Sequence, residues 1–375
     1  MVPVNSISPT SSPGASGTPG STGANLTALR DHNAAAVLGL LRGAGAEGAS
    51  RAELAARTGL TPQAVSKITA RVRAAGLATE AGRRASTGGK PATVLRLVPG
   101  GAHAVGLHLD RDALTATLVD LAGAEVAKDT APLGFGAGAD AVLEAATGEV
   151  RALVGGAGAA PLDGGVAAPG PLHHRGGVLH KVTGFPQWDG FPLRDALARR
   201  LGVPVVLDKD TNAAALGLAL RGAPGVGSFA YLHLGTGLGA GLVLDRAVHR
   251  GARTGAGEFG HQVLQLDGPP CPCGNNGCIE ALCLAAVAAG DPARAAHLLG
   301  VGAANLVRLL DIDLVLLGGR TVLADPDPYA RGVRAVLAGA VPVAVTPGGG
   351  RTVVEGAAEL VLARLFGAGA VWCGR

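Results

Sequence analysis

The stretch GEFGHQVLQLDGPPCPCGNNGCIEAL, residues 257–282, is the most specific pattern in the chain. It brings one imidazole and three thiols within 18 residues: His261, Cys271, Cys273 and Cys278. This donor set suits a tetrahedral Zn²⁺ site with no open position, and a closed site of that kind is structural. The stretch therefore predicts a loop whose shape is fixed by zinc.

The alternative is that these cysteines pack as small hydrophobic side chains. It is the weaker interpretation, because Pro272, Gly274 and Gly277 favour a tightly turning chain over a core helix. The other two cysteines, Cys283 and Cys373, lie outside the ligand spacing, and we interpret them as ordinary thiols. An odd count with three of five cysteines inside eight residues favours metal binding over a secreted disulfide framework.

Acidic residues adjoin this motif. Glu258 precedes His261 by three residues, so on a helical turn both side chains face the same way, and the metal would fix the direction of the carboxylate. Glu280 follows the last cysteine of the motif by two residues. Asp210 follows the apolar pattern VPVVLD, at the strand end where α/β sheets bind ligands. Carboxylates that converge on a cleft can accept hydrogen bonds from sugar hydroxyl groups, although each alone is more often a surface acid.

The composition separates a small basic segment from a larger one. The 375 residues are 48% hydrophobic and 16% charged, which excludes a disordered chain and favours two domains. Residues 30–98 carry eleven Lys and Arg against four Asp and Glu, whereas the remainder carries 21 against 24. A basic domain joined to a slightly acidic one indicates a nucleic-acid partner for the first.

No export or membrane signal is found. Residues 1–28 are rich in Ser, Pro, Gly and Thr and lack both a basic and an apolar region, so we expect a disordered leader. Residues 222–244 lack charge over 23 residues, but seven glycines and Pro224 interrupt them. A strand, a glycine turn and a second strand is the better interpretation. We expect a cytoplasmic protein with no membrane contact.

The basic segment carries the signals of a helix–turn–helix unit. Apolar residues at helical spacing predict a first helix over 29–41. Ser50 with Glu53 forms a capping box that begins a second helix, which Gly59 ends. Thr61 followed by proline begins a third helix, and Gly76 ends it. In this arrangement the last of the three helices enters the major groove of DNA.

The faces of the third helix have different roles. Val65, Ile68 and Val72 recur at core spacing, so polar residues occupy the opposite face. There we expect base-edge contacts from Gln63 and Ser66 and phosphate contacts from Lys67 and Arg71. For each of these residues, a plain solvated face is the alternative.

A hairpin follows the third helix. The patterns LATEAG and ATVLRLV read as two short strands around the loop RRASTGGKP. Arg83, Arg84 and Lys90 would then lie on a wing beside the recognition helix, where a phosphate backbone or minor groove runs. Residues 29–98 are therefore predicted to form a winged helix-turn-helix DNA-binding domain.

From Ala104 onward, apolar strand patterns alternate with helical ones, which indicates an α/β domain. Two β-rich beginnings, near Ala104 and near Phe229, indicate two similar lobes with a cleft between them.

Seven motifs in order give this segment a family resemblance. They are GVAAPG (165–170), FPQWDGFPL (185–193), VVLDKDTNAAALG (205–217), HLGTGLGAGLV (233–243), GAGEFGH (255–261), CPCGNNGCIEA (271–281) and DLVLLGG (313–319). Together they resemble the ROK family of sugar kinases and sugar-responsive repressors, whose repressor branch also carries a winged domain.

The resemblance implies a two-lobe, actin-like (ribonuclease H-like, sugar kinase-type) ATPase fold over residues 102–375. It also implies that Asp210, Glu258, His261 and Glu280 surround a sugar, with Asp210 in the place of the catalytic base of the kinases.

The two phosphate-binding turns differ in how closely they match the turns of the family kinases. The stretch HLGTGLGAG keeps Gly235, Thr236, Gly237 and Gly239. Family kinases carry DxGGT after their first strand, and the matching residues here are His108, Leu109, Asp110, Arg111 and Asp112. These side chains occupy the space through which nucleotide phosphates would reach the turn, and the two aspartates would repel a triphosphate. We therefore expect a vestigial nucleotide site without ATP or Mg²⁺. Lys209 also replaces the asparagine usual in the kinases.

The sequence thus predicts a transcriptional regulator, most simply a repressor of carbohydrate genes. Its kinase-like domain would sense a sugar without phosphorylating it. We expect a homodimer or higher homo-oligomer, of which a homodimer would bind a palindromic operator. One alternative is an ATP-dependent sugar kinase, of glucokinase or N-acyl-hexosamine kinase type, that carries a DNA-binding domain. Another is a regulator that has lost sugar binding and responds to a different effector.

Overall fold

The structure, a computed structural model, describes residues 26–84, 91–159, 161–221 and 226–367, with side chains from residue 32 onward. Three parts of the predictions lie outside these residues: most of the predicted leader, Lys90 and Cys373. In the part of the chain so described, no helix has both the length and the apolar character needed to cross a bilayer.

The N-terminal unit contains three helices and a small antiparallel sheet with strand order β1-β3-β2. Its elements are α1 (Leu26–Ala44), β1 (Ala49–Ser50), α2 (Arg51–Thr58), α3 (Pro62–Ala74), β2 (Ala78–Arg84) and β3 (Ala92–Leu97). The capping box at α2 forms as predicted: the Glu53 N–H donates to Ser50 Oγ, and the Ser50 N–H donates to the Glu53 carboxylate. The Thr61 hydroxyl caps α3, whose first residue is Pro62.

Helix α1 is longer than predicted. It runs three residues beyond the expected 29–41 at each end and continues through Gly43. The chain leaves the helix at Gly45, whose φ of 50° lies in the left-handed region that glycine adopts freely. The extension includes Arg42, whose guanidinium contacts Glu359 in the last helix of the chain described.

The first lobe, residues 103–209, is built on a five-stranded sheet with strand order β10-β7-β4-β5-β6. Strands β4, β5 and β6 are antiparallel, whereas β7 lies parallel to β4 and β10 parallel to β7. The elements are β4 (His103–Leu109), β5 (Ala113–Asp120), β6 (Glu125–Pro132), α4 (Ala139–Ala157), β7 (Pro161–Ala168), β8 (Leu172–His173), β9 (Val178–Leu179), α5 (Leu193–Leu201) and β10 (Val205–Lys209).

The second lobe, residues 226–345, repeats the plan with strand order β13-β12-β11-β14-β15. The predicted strand, glycine turn and strand within 222–244 form the β11–β12 hairpin. From α6 to the last helix the elements are α6 (Asp210–Leu220), β11 (Phe229–Leu234), β12 (Leu238–Leu244), β13 (Ala247–Val248), α7 (Ile279–Ala288), α8 (Pro292–Leu310), β14 (Leu314–Gly318), α9 (Arg320–Ala324), α10 (Pro326–Leu337), β15 (Val343–Val345) and α11 (Thr352–Leu365).

Helices α6 and α11 pack against each other between the two sheets. A Cβ on Gly356 of α11 would collide with the backbone of Ala213 in α6, so only glycine allows the two helices to approach this closely. The other face of α11 contributes Ala358, Val361 and Leu362 to the core of the N-terminal unit. Helix α11 therefore contacts both lobes and the basic unit.

Candidate functional site

A pocket opens between the two lobes at the carboxyl end of β10. Asp210, predicted as a sugar ligand, is the first residue of α6 and follows β10 directly. The pocket is lined by Asp110, Arg111, Pro169, Gly170, Thr183, Lys209, Asp210, Thr211, His233, Thr236, Gly237, Leu238, Gly239, Gly257, Glu258, His261 and Glu280. The four predicted sugar-binding residues thus line one pocket, together with three of the four predicted phosphate-turn residues.

Backbone and side-chain contacts orient the carboxylates of the pocket. The Thr211 N–H donates to Asp210 Oδ1 at 2.6 Å, and the Leu238 N–H donates to Glu280 Oε2 at 2.7 Å. Glu280 is buried in the first turn of α7. These hydrogen bonds orient the carboxylates and leave their other oxygens for hydroxyl groups.

Lys209 positions Glu258. Its ammonium is buried and donates to Glu258 Oε1 at 3.2 Å and to the Ala256 carbonyl at 2.8 Å. The sequence marked Lys209 only as a departure from the kinase pattern and did not predict this contact. Because the two residues lie 49 positions apart, no local pattern could have shown it.

A buried ion pair lies beneath the pocket and was also missed. The Arg250 Nε donates to Asp208 Oδ2 at 2.7 Å, and Asn212 Nδ2 donates to Asp208 Oδ1 at 3.1 Å. Asp208 is the penultimate residue of β10, and Asn212 lies in the first turn of α6. This network therefore fixes the strand–helix junction that presents Asp210.

The predicted metal ligands form one cluster. The ligand atoms of His261, Cys271, Cys273 and Cys278 all lie within 4.8 Å of one another. Cys271 Sγ is 3.7 Å from His261 Nδ1, and the Sγ atoms of Cys273 and Cys278 are 3.6 Å apart. Tetrahedral Zn–S bonds place their sulfurs about 3.8 Å apart, so the group fits a metal ion of that size.

The altered turn after β4 reaches across the cleft. Thr236 Oγ1 donates to Asp110 Oδ1 at 3.1 Å, and Arg320 Nη2 lies 2.9 Å from both carboxylate oxygens of Asp112. Burial alone would raise the pKa of Asp110, but His108 and the hydrogen bonds from Arg111 and Thr236 hold it below its usual range. The expected repulsion from Asp112 needs correction, because Arg320 offsets that charge.

Two histidines lie behind this turn. Burial lowers the pKa values of His108 and His233, which favours the uncharged form of both rings. The Tyr231 hydroxyl lies 2.8 Å from His233 Nδ1. With Thr115 and Arg320, these three residues line a cavity of about 170 Å³ next to the pocket. His108, which stands where the kinases have aspartate, therefore supplies no negative charge there.

The residues predicted to contact DNA are distributed over α3 and the hairpin. Gln63, Ser66, Lys67 and Arg71 are exposed on α3, opposite the buried Val65 and Val72. Arg83 is exposed on β2.

The DNA contact of Arg84 stays a prediction, and its exposed guanidinium also makes contacts within the unit. Nη1 donates to Glu53 Oε1 at 2.8 Å and Nη2 donates to the Glu47 carbonyl at 3.0 Å. The same glutamate closes the capping box of α2, so this contact ties the hairpin to the helix–turn–helix.

Comparison with known proteins places the chain among sugar kinases and repressors. The ROK family model matches residues 105–290. The xylose repressor of Caldicellulosiruptor bescii is 29% identical over 235 residues, which are 62% of this chain and 59% of that repressor. The match thus spans about three fifths of the repressor's length.

Two solved structures extend the likeness. The ROK hexokinase from Thermus thermophilus is 32% identical, with a TM-score of 0.56 over 68% of this chain and 96% of that one. A ROK family transcriptional regulator, a homologue of the E. coli MLC protein, superposes with a TM-score of 0.75 over 90% of this chain and 97% of that one. At 22% identity the second likeness shows the fold alone. The matched motifs, the shared lobes and the identity to an almost completely covered hexokinase establish that this chain belongs to the ROK family.

Proposed function

We propose that the protein is a sugar-responsive transcriptional regulator that binds operator DNA and senses a sugar without phosphorylating it. The observation that carries the proposal is the basic N-terminal unit, which shares a core with the last helix of the ROK domain. A sugar kinase has no need of such a unit, and the C. bescii relative is named a xylose repressor.

DNA binding is assigned to the N-terminal unit as a winged helix-turn-helix. Helix α3 would enter the major groove with Gln63 and Ser66 at base edges. Lys67 and Arg71 would neutralise phosphates, with Arg83 of the hairpin at the flanking backbone. A homodimer would present two such helices to a palindromic operator. Because a regulator with these roles must reach DNA, we expect the protein in the cytoplasm.

Sugar binding is assigned to Asp210, Glu258, His261 and Glu280. Carboxylates accept hydrogen bonds from sugar hydroxyl groups. Three of the four residues, Glu258, His261 and Glu280, lie within residues 257–282, the stretch that carries the predicted metal ligands. A structural Zn²⁺ on His261 Nδ1 and the three thiols would fix the loop and leave the other ring nitrogen of His261 to the pocket. The zinc has no catalytic role in this proposal.

A route for communication follows from the packing of α11. Helix α6 begins at Asp210 and packs on α11 at Gly356, while the opposite face of α11 contacts α1. There Arg42 donates to both carboxylate oxygens of Glu359 at 3.0 and 2.6 Å. If sugar and DNA prefer different positions of α11, each ligand weakens the other by the same factor.

The test is DNA binding by the full-length, zinc-loaded protein. Its affinity for the DNA immediately upstream of its own gene is measured by fluorescence anisotropy against a random duplex of equal length. Mono- and disaccharides are then titrated in, with ATP consumption followed in the same samples. We expect specific binding that one sugar shifts, with no ATP consumed. Equal affinity for both duplexes would refute the proposal.

A sugar kinase with an attached DNA-binding domain is the second candidate, favoured by the likeness to the T. thermophilus hexokinase and by the position of Asp210. It predicts ATP consumption that depends on sugar and that Asp210→Asn abolishes.

A further inference from the structure

The guanidinium of Arg111 lies in the pocket wall. Within the residues described, its guanidinium donates no hydrogen bond to any protein atom, although it lines the pocket. Its Cζ lies 5.9 Å from the ring centroid of Phe185, which holds the side chain over the cleft. A guanidinium carries five N–H donors, so this residue offers a set of unused donors to a ligand.

The same guanidinium reaches the phosphate turn of the opposite lobe. A Cβ built on Gly237 would lie 3.3 Å from Arg111 Nη2 and 2.9 Å from Glu280 Oε2. A phosphate bound to the backbone of this turn would therefore meet the Arg111 side chain. Two neighbouring contacts, Thr236 to Asp110 and Arg320 to Asp112, also lie in the space through which a phosphate would reach this turn.

The charge of the pocket argues against an anionic ligand. Four carboxylates line it against two permanent cations, one of which is the ammonium already engaged with Glu258. The carboxylates are Asp110, Asp210, Glu258 and Glu280. With carboxylates in excess, a phosphate group on the ligand would meet net repulsion. A neutral sugar meets no such penalty and can accept hydrogen bonds from Arg111.

We propose that Arg111 determines the specificity of the pocket by two means: it occupies the space that a nucleotide phosphate would need, and it donates hydrogen bonds to the oxygens of an uncharged sugar. The signal is then a free sugar rather than a sugar phosphate. This inference deepens the proposed function and rests on it, because it assigns the ligand class of the same pocket.

The sugar arm of the test is isothermal titration of the zinc-loaded full chain with D-xylose, D-glucose and D-glucose 6-phosphate. We expect one neutral sugar to bind and the phosphate ester to bind at least about tenfold more weakly than D-glucose or not at all. Arg111→Ala should weaken the neutral sugar at least about tenfold, since a hydrogen bond from a charged donor is lost. Arg253→Ala, which removes an exposed arginine outside the pocket, is the matched control and should leave the affinity unchanged.

The nucleotide arm does not depend on the sugar. Binding of a fluorescent ADP analogue with Mg²⁺ is compared between Arg111→Met and Arg111→Ala, which both lack the charge but differ in side-chain volume, and we expect the alanine variant to bind at least about tenfold more tightly. Tighter binding of D-glucose 6-phosphate than D-glucose, or unchanged sugar affinity in Arg111→Ala, would overturn the inference. If neither neutral sugar binds the wild type, the proposed sensing of these sugars fails, and equal nucleotide affinities would then refute the role of Arg111 as well.

Discussion

Loss of the Arg42 guanidinium should destabilise the junction between the N-terminal unit and the ROK domain. Glu359 is 1% exposed, and its only charged partner among the described residues is Arg42. Arg42 also donates to the Ala122 carbonyl at 3.3 Å and lies 5.0 Å from the Phe366 ring centroid. Removing one member of a buried pair costs about 3–5 kcal/mol, because the other charge remains buried without a partner.

We expect Arg42→Met to lower the free energy of unfolding by about 3 kcal/mol, at the low end of that range because Arg42 itself is partly exposed. The assay is urea denaturation followed by circular dichroism, using the first transition because a chain with several domains need not unfold in one step. The double variant Arg42→Met with Glu359→Met should recover most of the loss, since an apolar pair of similar volume replaces a buried ion pair at little cost.

The control is Arg200→Met, which removes an arginine whose partners, Asp140 and Glu144, are 96% and 74% exposed. An ion pair of that kind contributes about 0–1 kcal/mol, so this variant should unfold almost like wild type. The reasoning is refuted if Arg42→Met and Arg200→Met are equally mild, or if the double variant is no more stable than Arg42→Met alone.

Further predictions concern the proposed metal ligands, the exposed face of α3 and the pocket. Cys273→Ser should abolish the one bound zinc measured by atomic absorption, whereas Cys283→Ala should retain it; zinc in both or in neither would contradict the ligand set. Lys67→Ala should weaken binding to all DNA and reduce the salt slope by about 1, whereas Gln63→Ala should mainly relax sequence preference; equal losses on specific and random duplexes from Gln63→Ala would remove its role in base readout. Lys209→Met should weaken sugar binding measured by titration, because the carboxylate held by its ammonium loses its orientation, and unchanged affinity would exclude that positioning role.

Local signals predicted local structure well. Ser50 with Glu53 gave the start of α2, and Thr61 followed by proline gave the start of α3, because a cap depends only on residues within one turn. The cysteine and histidine spacing likewise gave a cluster that the structure brings within ligand distance. Strand β6 was missed, because most of its residues are exposed and its sequence EVAKDTAP has no apolar alternation.

Contacts between distant parts of the chain could not be predicted. Arg42 and Glu359 lie 317 residues apart, and Asp112 and Arg320 lie 208 apart. Their pairing depends on how the N-terminal unit and the lobes pack, which no spacing rule encodes. For the same reason the contact of Arg84 with Glu53, 31 residues earlier, was not predicted.

Reciprocal binding is the most direct test of the proposal that sugar and DNA control each other in one molecule. The affinity for operator DNA is measured with and without saturating sugar, and the affinity for the sugar is measured with and without saturating operator. We expect both ratios to be equal and at least about tenfold; a ratio near 100 would correspond to about 2.7 kcal/mol of coupling. A sugar that binds the free and the DNA-bound protein equally well would show that this pocket does not control DNA binding.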